Sequence, residues 1–260
     1  ITNPPWDTLQ ADEKEFLQQY DPEIQKKKIR IEDWRKQFFL HMRTSETRKA
    51  WLDHVSQTAL QSRWFKSEAA FRHVSKGKLN LYMLFVEQCW KLLKPNGRCG
   101  IVIPSGIYTD LGARGLRDLL FDKTLVDGLF CFENRRNIFE GVDSRFKFVV
   151  LTFEKLPPPP EADPGKLRLQ PPATQNFPAA FMRHDVAELA RFPAHGAINI
   201  SVELVRKLAP DSHSVMEFKS TRDIVIAEKL LRYPLLGERD AKQWGLQLTQ
   251  ELNMTTDSHL

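Results

Sequence analysis

The first seven residues, Ile1-Thr2-Asn3-Pro4-Pro5-Trp6-Asp7, hold the groups best suited to chemistry. Two consecutive prolines fix φ twice and supply no N–H donor, so nearby carbonyls have nothing local to accept from. The residue before each proline is held extended. The carbonyls of Asn3 and Pro4 and the Asn3 amide therefore take a set, outward geometry, with Trp6 beside them as an aromatic plate. A planar amine fits such a cluster: the acceptors take its two N–H hydrogens, and the indole stacks on the ring that carries it. The alternative is an ordinary Pro-Pro turn ahead of a helix.

The elements that would position this motif follow it in the chain. Residues 11–74 contain no glycine and one proline, Pro22, and the absence of breakers argues for helices. Trp34, Phe38, Phe39 and Met42 give helical spacing, continued by Trp51, Val55 and Trp64. Between residues 25 and 78 there are 14 Lys/Arg against 5 Asp/Glu, a local +9 in a chain whose net charge is +5. Lys26, Lys27, Lys28, Arg30, Arg35, Lys36, Arg43, Arg48 and Lys49 are candidates for a surface that follows a phosphate backbone. The competing reading is a solvated helix face whose aromatics pack inward.

Beyond Gly77, residues 79–93 place Tyr82, Phe85, Val86, Cys89, Trp90 and Leu93 on one helical stripe. Lys94-Pro95-Asn96-Gly97 ends that helix in a turn. Residues 98–104 read as a strand buried on both faces, 111–120 as a helix, and 124–133 and 146–154 as strands joined by a loop and so antiparallel neighbours. Gly112 and Gly115 lack the strand-turn context of a phosphate-binding fingerprint. The predicted class is α/β, half of a Rossmann-like sheet, mostly parallel with its last strand antiparallel, carrying a helical insertion and a mixed C-terminal connector. Residues 1–155 form the motif-bearing unit with its insertion at 11–76. Residues 156–178 are a proline-rich linker, and 179–260 a connector with helices near 201–208 and 221–232 and an extended piece at 244–252.

Composition excludes several classes. No run approaches the roughly 18 apolar residues of a membrane span, so no membrane partner is expected. Cys89, Cys99 and Cys131 are too far apart for a metal site. The seven histidines are scattered, and no metal is expected.

Asn3-Pro4-Pro5-Trp6 resembles the Asn/Asp-Pro-Pro-aromatic motif of the amino-methyltransferases, chiefly the adenine-N6 DNA methyltransferases. The order of motif, insertion, Leu-Tyr-Met-Leu-Phe-Val-Glu helix, Lys-Pro-Asn-Gly turn, Gly-Ile-Val-Ile-Pro-Ser strand, Phe-Glu-Asn strand end and Phe-Val-Val-Leu-Thr-Phe strand is similar to the catalytic half of large gamma-class enzymes. That group includes fused restriction-modification and phage-exclusion methylases. The resemblance implies that Asn3 and Pro4 accept from the target amine, Pro5 gives rigidity and Trp6 stacks. It also implies that Phe139, or alternatively Phe146, packs on a base flipped from double-stranded DNA.

The same resemblance implies S-adenosyl-L-methionine as methyl donor in a longer parent protein and a cytoplasmic location. It implies as partners an N-terminal half, a target-recognition domain and other subunits of a restriction or phage-defence system. The glycine-rich donor turn of that family belongs upstream of the acceptor motif, so this chain is expected to be a fragment, inactive alone, whose cofactor-binding residues precede Ile1. The alternatives are methylation of another planar amine, in an RNA base or a protein glutamine, and a non-catalytic DNA-binding module.

Overall fold

A computed structural model describes residues 1–21, 24, 31–67, 69–74, 77–158 and 173–234. The first helix, α1 (Glu13–Gln18), is started by Asp12, whose carboxylate accepts from the Lys14 and Glu15 amides, as orphan N-terminal donors require. Helices α2 (Ile31–His41) and α3 (Ser45–Phe65) complete the described insertion. Trp34 is buried against Phe16, Leu17 and Ile24, with Phe38, Met42 and Trp51 packed around them. Trp34, Phe38 and Met42 thus share the inner face that their spacing predicts. Phe39, next to them in sequence, is exposed.

Helix α4 (Leu81–Leu92) is capped by Asn80 and buries Tyr82, Met83, Leu84, Val86 and Glu87. Its inner stripe is rotated from the expected one, and Phe85 is exposed. The Lys94–Gly97 turn closes with Asn96 left-handed at φ 61°. Asn96 N–H donates to the Lys155 carbonyl and Lys155 N–H to the Gly97 carbonyl. Strand β1 (Arg98–Pro104) follows, then a short helix α5 (Gly106–Thr109) and a 3-10 turn at Leu111–Ala113 leading into α6 (Arg114–Lys123). The predicted helix at 111–120 is thus a 3-10 turn joined to a helix that runs three residues further.

Strands β2 (Thr124–Glu133) and β3 (Lys147–Lys155) are antiparallel neighbours. The sheet has five strands in the order β1-β3-β2-β4-β5, with β4 at Asn176–Arg183 and β5 at Ile198–Ser201. β1 and β2 run the same way with β3 inserted between them and antiparallel to both. β4 pairs parallel to β2 and antiparallel to β5. The α/β class therefore stands, but two strands run against the other three, β3 inside the sheet and β5 at its edge, and β2 with β4 is the one hydrogen-bonded parallel pair among the described strands.

The chain past the proline-rich stretch packs on this same sheet. In β4, Phe177, Ala179 and Phe181 are buried, and Pro178 sits just ahead of the β2 ladder, which begins at Leu129 opposite Ala179. A proline is tolerated there because its missing N–H is not asked for on that side. Helix α7 (Val202–Leu208) starts at Ser201, whose hydroxyl accepts from the Leu204 amide. Helix α8 (Thr221–Leu230) starts in a capping box formed by Ser220 and Asp223. Both helices contribute to the main core, which lies on the sheet face covered by α4 and α6. The expected extended piece at 244–252 lies outside the described residues.

Candidate acceptor site at the sheet edge

The motif enters the structure as an extension of the sheet. Thr2 bridges to Ile101 in parallel, with Thr2 N–H donating to the Gly100 carbonyl and Val102 N–H to the Thr2 carbonyl. After Trp6 the chain pairs with the start of α4: Leu81 N–H donates to the Asp7 carbonyl and Leu9 N–H to the Leu79 carbonyl. The Asn80 side chain donates to the Trp6 carbonyl at 2.8 Å. The Asn3–Trp6 segment is thus held at both ends by backbone ladders. Between those anchors Asn3 and Pro5 are exposed and Pro4 is buried. Neither the Asn3 amide nor the carbonyls of Asn3 and Pro4 enter a hydrogen bond among the described residues.

Trp6 is fixed in plane and surrounded by rings. Its indole N–H donates to the Val102 carbonyl at 3.3 Å. Phe146 lies parallel to it, with centroids 5.6 Å apart and planes at 12°. Phe139 stands edge-on at 5.2 Å and 74°, and Phe148 lies behind at 6.0 Å. Offset-stacked and edge-on contacts at these distances are the favourable ones for aromatic pairs. Phe132 and Phe130 continue the aromatic cluster under Phe148 along the same sheet face. An unclaimed set of acceptors beside an aromatic wall is what a ring-bound amine needs.

The structure brings Asn3, Pro4, Pro5, Trp6, Phe139 and Phe146 to one end of the sheet, Phe139 and Phe146 both coming from the loop between β2 and β3. Of the basic candidates, Arg35 and Lys36 lie on α2, Arg43 follows it, and Arg48 and Lys49 lie on α3. All five are exposed and make no ion pair among the described residues. Lys26, Lys27, Lys28 and Arg30 lie outside the described residues.

Three polar groups not singled out from the sequence brace the elements around the site. Glu87, fully buried on α4, accepts from the Arg72 and His73 amides at 3.0 and 2.9 Å and pairs with Lys91 at 3.0 Å. Burial opposes its charge, but the hydrogen bonds from His73, Lys91 and Arg72 outweigh burial and hold its carboxyl down at about 2. It pins the chain leaving the insertion to α4.

Arg117, buried in α6, donates to the carbonyls of Ile107, Asp110 and Ser212 and so clamps the turn after β1. Burial pushes its guanidinium down to about 10. Asn134, fully buried at the end of β2, bonds the backbone of Phe139 and Val142. The signals open to a reader were a lone acid on the inner arc of α4 and an asparagine directly after an apolar strand.

The approach at Gly112 and Gly115 is filled by protein: a Cβ at Gly115 would lie 2.5 Å from the His73 carbonyl oxygen, and one at Gly77 3.4 Å from Gly112. These glycines serve the approach of the insertion to α6. No group of His, Cys, Asp or Glu suited to a metal occurs among the described residues, and no described helix is long and apolar enough to cross a membrane.

The architecture is a mixed α/β sheet with the Asn3–Trp6 segment on its edge. Residues 53–139 match the Eco57I restriction-modification methylase family. The matched segment runs from α3 to Phe139 and excludes the Asn3–Trp6 motif. Similar solved structures include a type I restriction-modification system studied for its complex assembly and conformational transition. That chain is 18% identical, with 58% of this chain and 36% of that chain covered and a TM-score of 0.35. The EcoKI M protein of a type I restriction enzyme is 14% identical, covering 60% of this chain and 43% of that one at TM-score 0.37. The type IIG restriction endonuclease BpuSI is 13% identical, covering 62% and 18% at TM-score 0.40. The chain spans less than half the length of each. No curated protein matches.

Proposed function

We propose that this chain is the acceptor-side half of an adenine-N6 DNA methyltransferase of a restriction-modification system. The observation that carries the reading is the unclaimed Asn3 and Pro4 acceptors beside Trp6, walled by Phe139 and Phe146. The restriction-modification match over residues 53–139 supports the same reading from an independent part of the chain.

An aromatic amine is a poor nucleophile because its lone pair is delocalised into the ring. In this reading the Asn3 side-chain oxygen and the Pro4 carbonyl accept the two amine hydrogens, which favours the pyramidal nitrogen whose lone pair attacks. Pro5 fixes the spacing of those acceptors. Trp6, held by Val102, and the two phenylalanines hold the ring of an adenine turned out of the duplex. S-adenosyl-L-methionine supplies the methyl group in the parent enzyme. Among the described residues the Gly112 and Gly115 approach is filled by protein and leaves that donor no room there. The basic residues of α2 and α3 lie along the duplex, and a target-recognition domain and further subunits of the defence system complete the assembly in the cytoplasm.

The test is labelled-methyl transfer by the parent enzyme offered DNA, RNA and protein side by side. Label in the N6 position of adenine in DNA is the expected outcome. Label only in RNA or in protein glutamine would transfer the same acceptor chemistry to another substrate. No label in any of them would leave a DNA-binding module.

A further inference from the structure

We infer that Asn134 is a positioning residue that sets the aromatic slot around Trp6; the inference rests on the acceptor-site reading above. The loop between β2 and β3 carries both Phe139 and Phe146, and a loop of that length has no intrinsic reason to hold two rings at defined angles to a third. One side chain supplies the constraint. The Asn134 Oδ1 accepts from Phe139 N–H at 2.9 Å, while its Nδ2 donates to the carbonyls of Phe139 and Val142, each at 2.9 Å. Both amide hydrogens and one oxygen lone pair are therefore in use.

Its own backbone closes the loop at both ends. Asn134 N–H donates to the Phe146 carbonyl at 2.9 Å, and its carbonyl accepts from Asn137 N–H at 2.9 Å, with Asn137 left-handed at φ 51°. The residue is fully buried, so none of these bonds has water as a ready substitute.

The bonds act on the rings that matter. Phe139 is held through its own N–H and carbonyl and stands edge-on to Trp6. Phe146, 37% exposed, is held through its carbonyl and lies parallel to Trp6. Without the Asn134 side chain, the Phe139 N–H and the Val142 carbonyl lose their partner and the Phe139 carbonyl keeps only the longer bond from Val142 N–H at 3.4 Å, so the loop exchanges its closed form for others that reach water. Phe139 would then leave its edge-on place beside Trp6, while Phe146 keeps its tie to the Asn134 backbone N–H and Trp6, the sheet and the basic surface of the insertion are untouched.

The experiment uses the full chain and an oligonucleotide duplex carrying a fluorescent adenine analogue opposite an abasic site, so that little unpairing is needed. The analogue's quenching reports stacking, anisotropy reports overall binding, and thermal melting reports folding. The variants are Asn134→Ala and the equal-sized Asn134→Asp, which keeps an acceptor but loses both donors. Both are expected to weaken the stacked state about tenfold. Overall affinity should stay within about twofold, because phosphate contacts carry it.

Quenching in both variants equal to that of the unaltered chain overturns the inference and leaves the acceptor site standing. A parallel loss of quenching, overall affinity and melting temperature also overturns it, since Asn134 would then serve the fold alone. Absence of quenching in the unaltered chain, with binding unchanged by Trp6→Ala, overturns the acceptor-site reading and this inference together.

Discussion

Glu87 shows how a single buried group ties the site to its supports. Its carboxylate accepts two backbone amides from the segment that leaves the insertion. In the folded chain it titrates at about 2 rather than its ordinary 4.5. A depressed carboxylate contributes stability that is present above the unfolded value and is lost as pH falls through the folded value. The loss should therefore fall between about pH 4.5 and pH 2, and its full size is about 3 kcal/mol. Glu87→Gln is expected to lower stability by a comparable amount at neutral pH and to flatten this acid limb. Urea unfolding at several pH values measures both.

At the residue scale the sequence exposed part of the site and hid the rest. The Asn3–Trp6 run stands out because two prolines in a row leave local acceptors unused. Asn134, Glu87 and Arg117 do not stand out, because a polar residue in a buried position is defined by partners supplied elsewhere. Those of Glu87 come from residues 72 and 73, and those of Arg117 include the Ser212 carbonyl.

Elements were read well where local composition alone decides them. The bounds of β1 and β2 coincide with the predicted 98–104 and 124–133, since each is an apolar run closed by polar or turn residues. β3 starts at Lys147, one residue later than expected, with the Asn134 N–H to Phe146 carbonyl bond carrying its register with β2 one step further. β4 was masked by the prolines around it, although Phe177, Ala179 and Phe181 alternate onto the core.

Two predictions belong to elements. In α6, Gly115→Ala would set a methyl group 2.5 Å from the His73 carbonyl oxygen, a backbone atom with little freedom to move. The expected cost is about 1–3 kcal/mol, measured as a lower melting temperature. In α3, Arg48 and Lys49 are exposed and free of ion pairs among the described residues. If both follow the phosphate backbone, Arg48→Gln with Lys49→Gln lowers the slope of log affinity against log salt by about 2. DNA titrations at several salt concentrations measure that slope, and an unchanged one would assign the two residues to solvent.

For the whole molecule, strand order was the quantity least legible in the sequence. An apolar strand records that both its faces are covered, not which strands flank it, so the insertion of β3 between β1 and β2 could not be read from its residues. The assembled sheet places Thr2 beside β1 and the loop between β2 and β3 over Trp6. Residues 3–6 and 134–146, far apart in the chain, thereby become one surface. The restriction-modification match over residues 53–139 reaches Phe139 but not Asn3, so the acceptor role of the motif rests on geometry and chemistry.

The measurement that bears most directly on that role is paired turnover and binding for Asn3→Ala in the parent enzyme. Removing one of two amine acceptors is expected to lower methyl transfer to DNA by about a hundredfold or more, by analogy with loss of one preorganised hydrogen-bond partner. DNA affinity should change by less than about threefold, since phosphate contacts dominate it. Methyl transfer at the unaltered rate in Asn3→Ala would contradict the account.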